Sequence, residues 1–232
     1  MTSSIKSIMN ENVLDKTVLV RADLNIPMSN GNISDQSRVE RVIPTINFLK
    51  SSGAKIVICT HLGRPNGKYN KNYTLKPLVE ILSNILETNV RFSNSCLGQE
   101  ALEIKTSLKA GEILLLENVR FHEEEINNSL SFAKKLSEGC DLFVNDAFSC
   151  SHRAHSSLHA ITNFLPSYSG KLMDEEIKAL TSVLSSPIKP VAALVGGAKI
   201  STKINIIEYL ITKMDYLIIG GAMANTFLVA EG

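Results

Sequence analysis

Apolar residues along this chain follow two rhythms. Short unbroken runs recur at TVLVR (Thr17–Arg21), KIVICT (Lys55–Thr60), VRF (Val90–Phe92), ILLL (Ile113–Leu116) and LFVN (Leu142–Asn145). Their length and β-branched content predict strands buried on both faces. Between them the spacing becomes helical. Val39, Val42, Ile43, Ile46 and Leu49 mark one stripe, closed by Gly53, and Pro44 inside it predicts a kink. Leu75, Leu78, Val79, Leu82, Ile85 and Leu86 mark a second, with Thr74 as the expected N-cap. A further helix is expected near Ser129–Glu138, and Asn66–Tyr73 reads as a polar loop. Strand–helix alternation of this kind predicts an α/β fold, a doubly wound Rossmann-like parallel sheet.

The pattern then pauses and restarts. PSYSG (Pro166–Gly170) reads as a loop, and Leu172–Val183 as an amphipathic helix with Asp174, Glu175 and Glu176 in its first turn, where the helix dipole favours them. After SSPIKP (Ser185–Pro190) come an expected strand at Val191–Val195, a helix from about Ser201, a strand at Tyr216–Ile219 and a helix start behind Gly220 and Gly221. The expected organisation is one domain over 1–170, a connecting helix over 171–186, and the opening of a second α/β domain over 187–232. The 46 residues from Pro187 to Gly232 cannot cover both faces of a parallel sheet. The second domain is therefore expected to be incomplete, with apolar residues left uncovered beyond about Pro187.

Composition narrows the function. The chain has 232 residues, 44% of them apolar, and a formal charge of +1 with the two signs mixed. No basic stripe points to nucleic acid, and no apolar run reaches the ~20 residues of a membrane span. The N-terminal MTSSIKSIMNENVLDK lacks the apolar core of a signal peptide. Cys59, Cys96, Cys140 and Cys150 show neither a CxxC pair nor zinc spacing, so reduced, mostly buried thiols in a cytoplasmic protein are expected. A monomer is expected.

The candidate chemistry lies beside the strands. Arg38, His61, Arg64, Arg120 and Arg153 all stand next to or just after β-type segments, most clearly in HLGRP (His61–Pro65) behind IVICT. Open parallel sheets gather such loops into one crevice. Guanidinium forks match phosphate and carboxylate geometry, so this set predicts a small, highly charged, phosphorylated substrate. His61 has a second reading, as a structural support of its own loop. His152, His155 and His159 mimic a metal motif, but no acidic or sulfur ligand accompanies them, and His155 is expected to orient the loop carrying Arg153. Glu123–Glu125 reads as a solvated charge run. In GGAKISTK, Lys199 and Lys203 are four apart and share one face of a nascent helix, with Gly196 and Gly197 giving phosphates access to its N–H groups. This is not a Walker A loop. A nicotinamide-dependent dehydrogenase is a weaker alternative, since no GxGxxG follows any strand.

Eight segments carry a family likeness: VRADLNIP (Val20–Pro27), ISDQSRVERVIPTI (Ile33–Ile46), HLGRP (His61–Pro65), LLENVRFHEEE (Leu115–Glu125), FVNDAFSCSHRAHSS (Phe143–Ser157), LMDEEIKAL (Leu172–Leu180), VGGAKISTK (Val195–Lys203) and IIGGAMANTFL (Ile218–Leu228). In this order they make the chain resemble the phosphoglycerate kinases. The resemblance implies a two-domain hinge enzyme of glycolysis. It moves a phosphoryl group between 1,3-bisphosphoglycerate and ADP, giving 3-phosphoglycerate and ATP, with Mg2+ carried on the nucleotide. It implies that Asp23 and Asn25 bind the glycerate hydroxyl and carboxylate end, and that Arg38, His61, Arg64, Arg120 and Arg153 surround the substrate. Arg38 and Lys199 are the implied catalytic residues, Arg38 stabilising the phosphoryl group in flight. Gly197, Ala198, Lys199, Lys203, Gly220 and Gly221 are the implied nucleotide site. Ala222 departs from the family, which usually has a third glycine there, and an extra methyl is expected to narrow the adenine slot. No GGGDT-type loop, GPxGxFE-type segment or magnesium-serving aspartate precedes Gly232, so the protein ligand for Mg2+ is not expected in this chain. The alternative implied is a catalytically inactive fragment that only binds 3-phosphoglycerate.

Overall fold

The computed structural model describes residues 5–26, 28–29, 32–33, 36–185, 187–197 and 199–232. Along the chain come β1 (Thr17–Ala22), a small hairpin of β2 (Met28–Ser29) and β3 (Asn32–Ile33), α1 (Ser37–Ser51), β4 (Lys55–Cys59), α2 (Leu78–Ile85), β5 (Val90–Ser93), α3 (Gln99–Ser107) and β6 (Ile113–Leu116). There follow α4 (Glu123–Ile126), α5 (Leu130–Ser137), β7 (Leu142–Asp146), β8 (Ser167–Ser169), α6 (Lys171–Ser185), β9 (Ala192–Gly196), α7 (Ile204–Ile211), β10 (Tyr216–Gly220) and α8 (Ala222–Glu231). The chain divides into two compact units, Met1–Glu176 and Ile177–Gly232.

The first unit is built on a six-stranded parallel sheet in the order β5-β6-β4-β1-β7-β8. From β1 the chain builds one side of the sheet through β4, β5 and β6, then crosses to the other side with β7. The switch of direction therefore falls between β1 and β7, where Val20 pairs with Val144. The continuous apolar runs have the expected reason: strand side chains alternate, and both faces are covered. Val18, Val20, Ile56, Ile58, Ile113 and Leu115 pack on one face with Val39, Val42, Ile46 and Leu49 of α1 and Leu78 and Leu82 of α2. Leu19, Val57, Leu114, Leu116 and Phe143 pack on the other with Ala101 of α3 and Phe132, Ala133 and Leu136 of α5. Burying each large side chain contributes about 1.5–3 kcal/mol.

Four local expectations are corrected. PSYSG is not merely a loop: Ser167–Ser169 forms β8, pairing Val144 with Tyr168, because an edge strand needs only one ladder and tolerates flanking Pro166 and Gly170. Thr74 does not cap α2. The helix starts at Leu78 behind Pro77, while the Thr74 hydroxyl donates to the Glu117 carboxylate at 2.5 Å. Helix α6 begins at Lys171, which leaves only Asp174 of the three acidic residues in its first turn. The helix α3, whose apolar stripe is short and interrupted, is an additional element. Helix α1 runs unbroken through Pro44, which lies on its exposed face.

In the second unit β9 and β10 pair in parallel, Leu194 opposite Ile218. Among its described residues only Ile207 and Met223 are buried, and Leu194, Tyr216 and Ile218 of the strands are exposed. No helix among the described residues is long and apolar enough to cross a membrane.

The start of α6 is fixed by side chains of the sheet unit. Asp146 at the end of β7 accepts the Met173 N–H at 3.1 Å. The Lys171 N–H goes to Thr45 Oγ1 at 2.9 Å, and Asp174 accepts from the hydroxyls of Ser7 and Ser169. Gly170 is enclosed by this arrangement: a Cβ there would lie 2.3 Å from Asp146 Oδ1 and 2.8 Å from its Cβ. Gly170→Ala is expected to destabilise the protein by about 1–3 kcal/mol, as overpacking does. A lower urea midpoint at unchanged slope is the predicted observation, and an unaltered midpoint would show that Asp146 yields freely.

Candidate functional site

The carboxyl ends of four adjacent strands converge on one cavity of about 270 Å³. Asp23 and Asn25 follow β1, and His61, Gly63 and Arg64 follow β4. Arg120 sits on a short 3-10 turn after β6, and Ser149, Cys150 and Arg153 follow β7. Arg38 enters from the first turn of α1. The cavity thus lies over the point where the sheet changes direction, the place at which open α/β sheets bind ligands.

Hydrogen bonds between the loops hold this arrangement. Asp23 Oδ2 accepts from Arg38 Nη1 at 2.6 Å and from the Ser149 hydroxyl. Asn25 Oδ1 accepts the Gly63 N–H at 2.8 Å, and the Gly63 carbonyl accepts from Arg120 Nη1 at 2.8 Å. Gly63 has φ +62°, and a Cβ there would fall 2.3 Å from the Tyr73 ring, so only glycine fits. Asn118 Nδ2 donates to the carbonyls of Leu62 and Tyr73, tying the loop after β4 to the polar loop beyond it.

Beneath the cavity lies a buried polar chain. Arg21, fully buried on β1, donates from Nε to Ser157 Oγ at 2.9 Å and from Nη2 to His61 Nδ1 at 3.0 Å. Ser157 in turn donates its hydroxyl to Glu125 Oε1 at 2.6 Å and its N–H to Oε2 at 2.8 Å. Burial pushes the Glu125 carboxyl upward, while Arg21 and the two Ser157 bonds pull it back. Burial, then the charges of Arg21, Arg120 and Arg153, lower His61 to about 2, so the ring is neutral. His155 is lowered to about 4, first by burial and then by Arg120 and Arg153. Arg120 is pulled below its ordinary value by burial and by neighbouring Arg153 and Arg21. The cavity lining carries four guanidinium groups against the one carboxylate of Asp23.

In the second unit the ends of β9 and β10 meet closely. Gly221, φ +69°, would place a Cβ 3.3 Å from the Gly197 nitrogen, and Gly197 itself has φ +148°. Lys203 Nζ donates to the Gly196 carbonyl at 2.6 Å. Gly220 closes β10, and Gly221 precedes the first turn of α8 at Ala222. Ala198 lies outside the described residues.

The comparisons follow the same lines. A family model described as phosphoglycerate kinase matches residues 8–232. The chain belongs to the phosphoglycerate kinase family. It is 47% identical over 232 residues to a phosphoglycerate kinase of Bradyrhizobium diazoefficiens, covering all of this chain and 58% of the relative. It is 46% identical to that of Borrelia garinii, over 99% of this chain and 58% of the relative. The solved structure of phosphoglycerate kinase from Coxiella burnetii superposes with a TM-score of 0.87 at 40% identity, over 98% of this chain and 57% of that one. That from Pyrococcus horikoshii gives 0.86 at 36% identity, over 98% and 58%. The chain spans about 58% of the length of the curated relatives it matches.

Of the residues expected from the phosphoglycerate kinase likeness, Asp23, Asn25, Arg38, His61, Arg64, Arg120 and Arg153 all line the one cavity. Three readings change. His61 is a neutral ring, because an arginine that can only donate occupies its Nδ1. Glu125 is no member of a solvated run: Glu123 and Glu124 are exposed, but Glu125 is fully buried on Ser157. Lys199 and Lys203 do not share a helix face, since they flank a 3-10 turn, Ile200–Thr202, and α7 begins only at Ile204. Sequence reasoning missed Arg21, Asn118, Ser149 and Cys150. A lone charge inside the apolar TVLVRA was the signal for Arg21.

Asp23, His61 and Cys150 bring donor atoms within 4.8 Å of one another. Asp23 is already paired with Arg38 and His61 with Arg21, so the set answers to cations it possesses and does not fit a metal. The second-unit loop offers N–H and ammonium groups and no carboxylate, a donor set suited to phosphate oxygens but not to Mg2+.

The two lowered histidines make stability acid-sensitive. Unfolded, each takes up a proton near its ordinary 6.5, whereas folded His61 and His155 stay neutral to about 2 and about 4. Stability therefore falls as pH drops below about 6.5, by about 1 kcal/mol per pH unit for each ring. Asp146, raised by burial to about 6, works the other way between its unfolded 3.8 and that value, where only the folded form keeps the proton. The net expectation is a urea midpoint lower at pH 5 than at pH 7, with a shallower fall in His61→Gln. An equally steep fall in His61→Gln would mean that His61 accepts a proton in the folded state.

Proposed function

We propose that the first unit binds 3-phosphoglycerate and that the protein acts as a phosphoglycerate kinase, transferring a phosphoryl group between 1,3-bisphosphoglycerate and ADP. One observation carries the reading: four guanidinium groups face a single carboxylate around a cavity of about 270 Å³. The excess is three positive charges. A carboxylate together with a phosphate of about −1.5 to −2 supplies nearly that amount of negative charge, in a molecule small enough for the space.

In this reading Asp23 accepts from the glycerate hydroxyl, and the Asn25 amide donates while its oxygen keeps the loop after β4 in place. Arg64, Arg120 and Arg153 hold the phosphate together with the free ring N–H of His61. Arg38 neutralises charge on the phosphoryl oxygens as they pass from donor to acceptor. Phosphoryl transfer asks for little covalent chemistry from the protein, so placement and charge are its contribution. Lys199 and Lys203, with the N–H groups around Gly197, Ala198, Gly220 and Gly221, meet the nucleotide phosphates, and Mg2+ arrives on the nucleotide. Four unpaired thiols, three of them buried, suit a reducing compartment such as the cytoplasm.

Calorimetric titration with 3-phosphoglycerate tests the reading directly. Binding is expected for the unmodified chain, and Arg120→Ala should weaken it by roughly 10–100-fold, the loss of a charge-assisted contact. In the turnover assay Arg38→Ala should lower kcat by a larger factor than it weakens binding. Equal losses in both would remove Arg38 from the transition state, and no binding to the unmodified chain would refute the substrate.

A further inference from the structure

The family likeness assigns His61 to the substrate crevice but gives no role to the side chains behind it. Arg21 is fully buried in the central strand and has five N–H donors and no acceptor. Its Nη2 lies 3.0 Å from His61 Nδ1. Only an unprotonated Nδ1 can receive that hydrogen bond, so the ring proton must sit on Nε2. Among the described residues Nε2 has no partner, and the ring lines the cavity. The remainder of Arg21 is held against rotation: Nε is bound to Ser157 Oγ, and Nη1 to the carbonyl of Ala22. Ser157 in turn donates its hydroxyl hydrogen to Glu125 Oε1, so the hydrogen bonds run outward from Arg21 to both sides, to His61 Nδ1 on one and through Ser157 to the buried carboxylate on the other.

We propose that Arg21, anchored through Ser157 to Glu125, is a positioning residue that locks His61 as its Nε2–H tautomer, so that the crevice always presents a neutral N–H donor to the bound oxyanion. The proposal rests on the substrate reading above only for the identity of that anion. An ordinary histidine at this place would change charge close to neutral pH, and the affinity for a phosphate would change with it. Here the groups turned on His61 oppose its protonation from several elements: Arg21 from β1, Arg120 from the turn after β6, Arg153 and His155 from the segment after β7. Asp23, the lining carboxylate nearby, is itself engaged by Arg38 and Ser149. The result is an anion site whose donor count is constant over the pH range in which substrate phosphates titrate.

Nitrogen-15 NMR of the histidine rings in the unmodified chain tests the first half without a substitution. The expected spectrum has a protonated Nε2 and an unprotonated Nδ1 for His61, unchanged from pH 5.5 to 8. A proton on Nδ1, or a ring that titrates in that interval, would overturn the proposal. The second half is read from a variant that removes both buried charges together, Arg21→Met with Glu125→Gln, so that no unpaired ion is left in the core. In this variant His61 loses the donor that fixes its tautomer, so a proton on Nδ1 is expected to appear in the nitrogen-15 spectrum, while burial, Arg120 and Arg153 still oppose a second proton. The variant's affinity for 3-phosphoglycerate at pH 7.5 should fall about tenfold, the scale of one lost hydrogen bond. His61→Gln, whose amide offers an acceptor to Arg21 and a donor to the crevice, should lose less affinity than His61→Ala and show no pH dependence of its own. An unchanged affinity in the double variant would overturn the positioning role. If the unmodified chain does not bind 3-phosphoglycerate, the substrate reading fails, and the same comparisons made with inorganic phosphate decide the role of Arg21 independently.

Discussion

A guanidinium buried in the middle of a parallel sheet cannot be left to itself, and the architecture of the first unit answers that demand. Arg21 occupies β1 between β4 and β7, where every residue of the strand is buried. An unpaired ion in such a place costs several kcal/mol. Apart from the Ala22 carbonyl, its partners come from outside the strand: His61 from the loop after β4, and Ser157, with Glu125 behind it, from segments after β7 and β6. Satisfying one cation therefore brings three loops to one end of the sheet. The crevice is the space those loops enclose.

A second tier of contacts turns the loops into a rigid wall. Gly63 is central to it, since its N–H, its carbonyl and its missing side chain are all used, by Asn25, Arg120 and the Tyr73 ring respectively. Asn118 and Glu117 fix the neighbouring backbone by holding Leu62, Tyr73, Thr74 and Leu75. These side chains touch no candidate substrate group directly. They settle where Arg120 and His61 stand, and the proposed recognition of two anionic ends of one small molecule needs that precision.

Much of this was legible in the sequence, and the reasons for what was not are physical. The sheet and its core helices follow from periodicity, because buried strands and amphipathic helices differ in rhythm over enough residues to be distinguished. Arg64, Arg120 and Arg153 were visible as guanidinium groups behind strand ends, whereas Arg38 reaches the cavity from the first turn of α1. β8 escaped because three residues of Ser-Tyr-Ser carry no apolar run, and its pairing is decided by the neighbouring β7. Glu125 escaped because a carboxylate among carboxylates looks solvated, and only the fold brings Ser157, 32 positions on, against it. The neutral state of His61 was out of reach for the same reason: it depends on Arg21, 40 positions earlier. Lys199 and Lys203 were placed by helical spacing, but a 3-10 turn separates them, and the i to i+4 rule does not extend across it.

The guanidinium groups differ in how firmly they are held, and the difference matches the two kinds of charge that a phosphoryl transfer must meet. Arg120 is buried and bonded to a backbone carbonyl, so it suits a group that is anionic throughout, the phosphate of the proposed substrate. Arg38 is half exposed, on a flexible side chain at the start of α1, and its 2.6 Å ion pair with Asp23 is one that a substrate hydroxyl can compete for. Released from Asp23, it can follow charge that moves. Binding energy invested in a fixed contact serves ground state and transition state alike, whereas a contact that strengthens only as charge shifts accelerates the reaction. The carboxylate that holds Arg38 is also the acceptor proposed for the glycerate hydroxyl. Under the proposed function, arrival of the substrate and release of Arg38 are thus one exchange at Asp23.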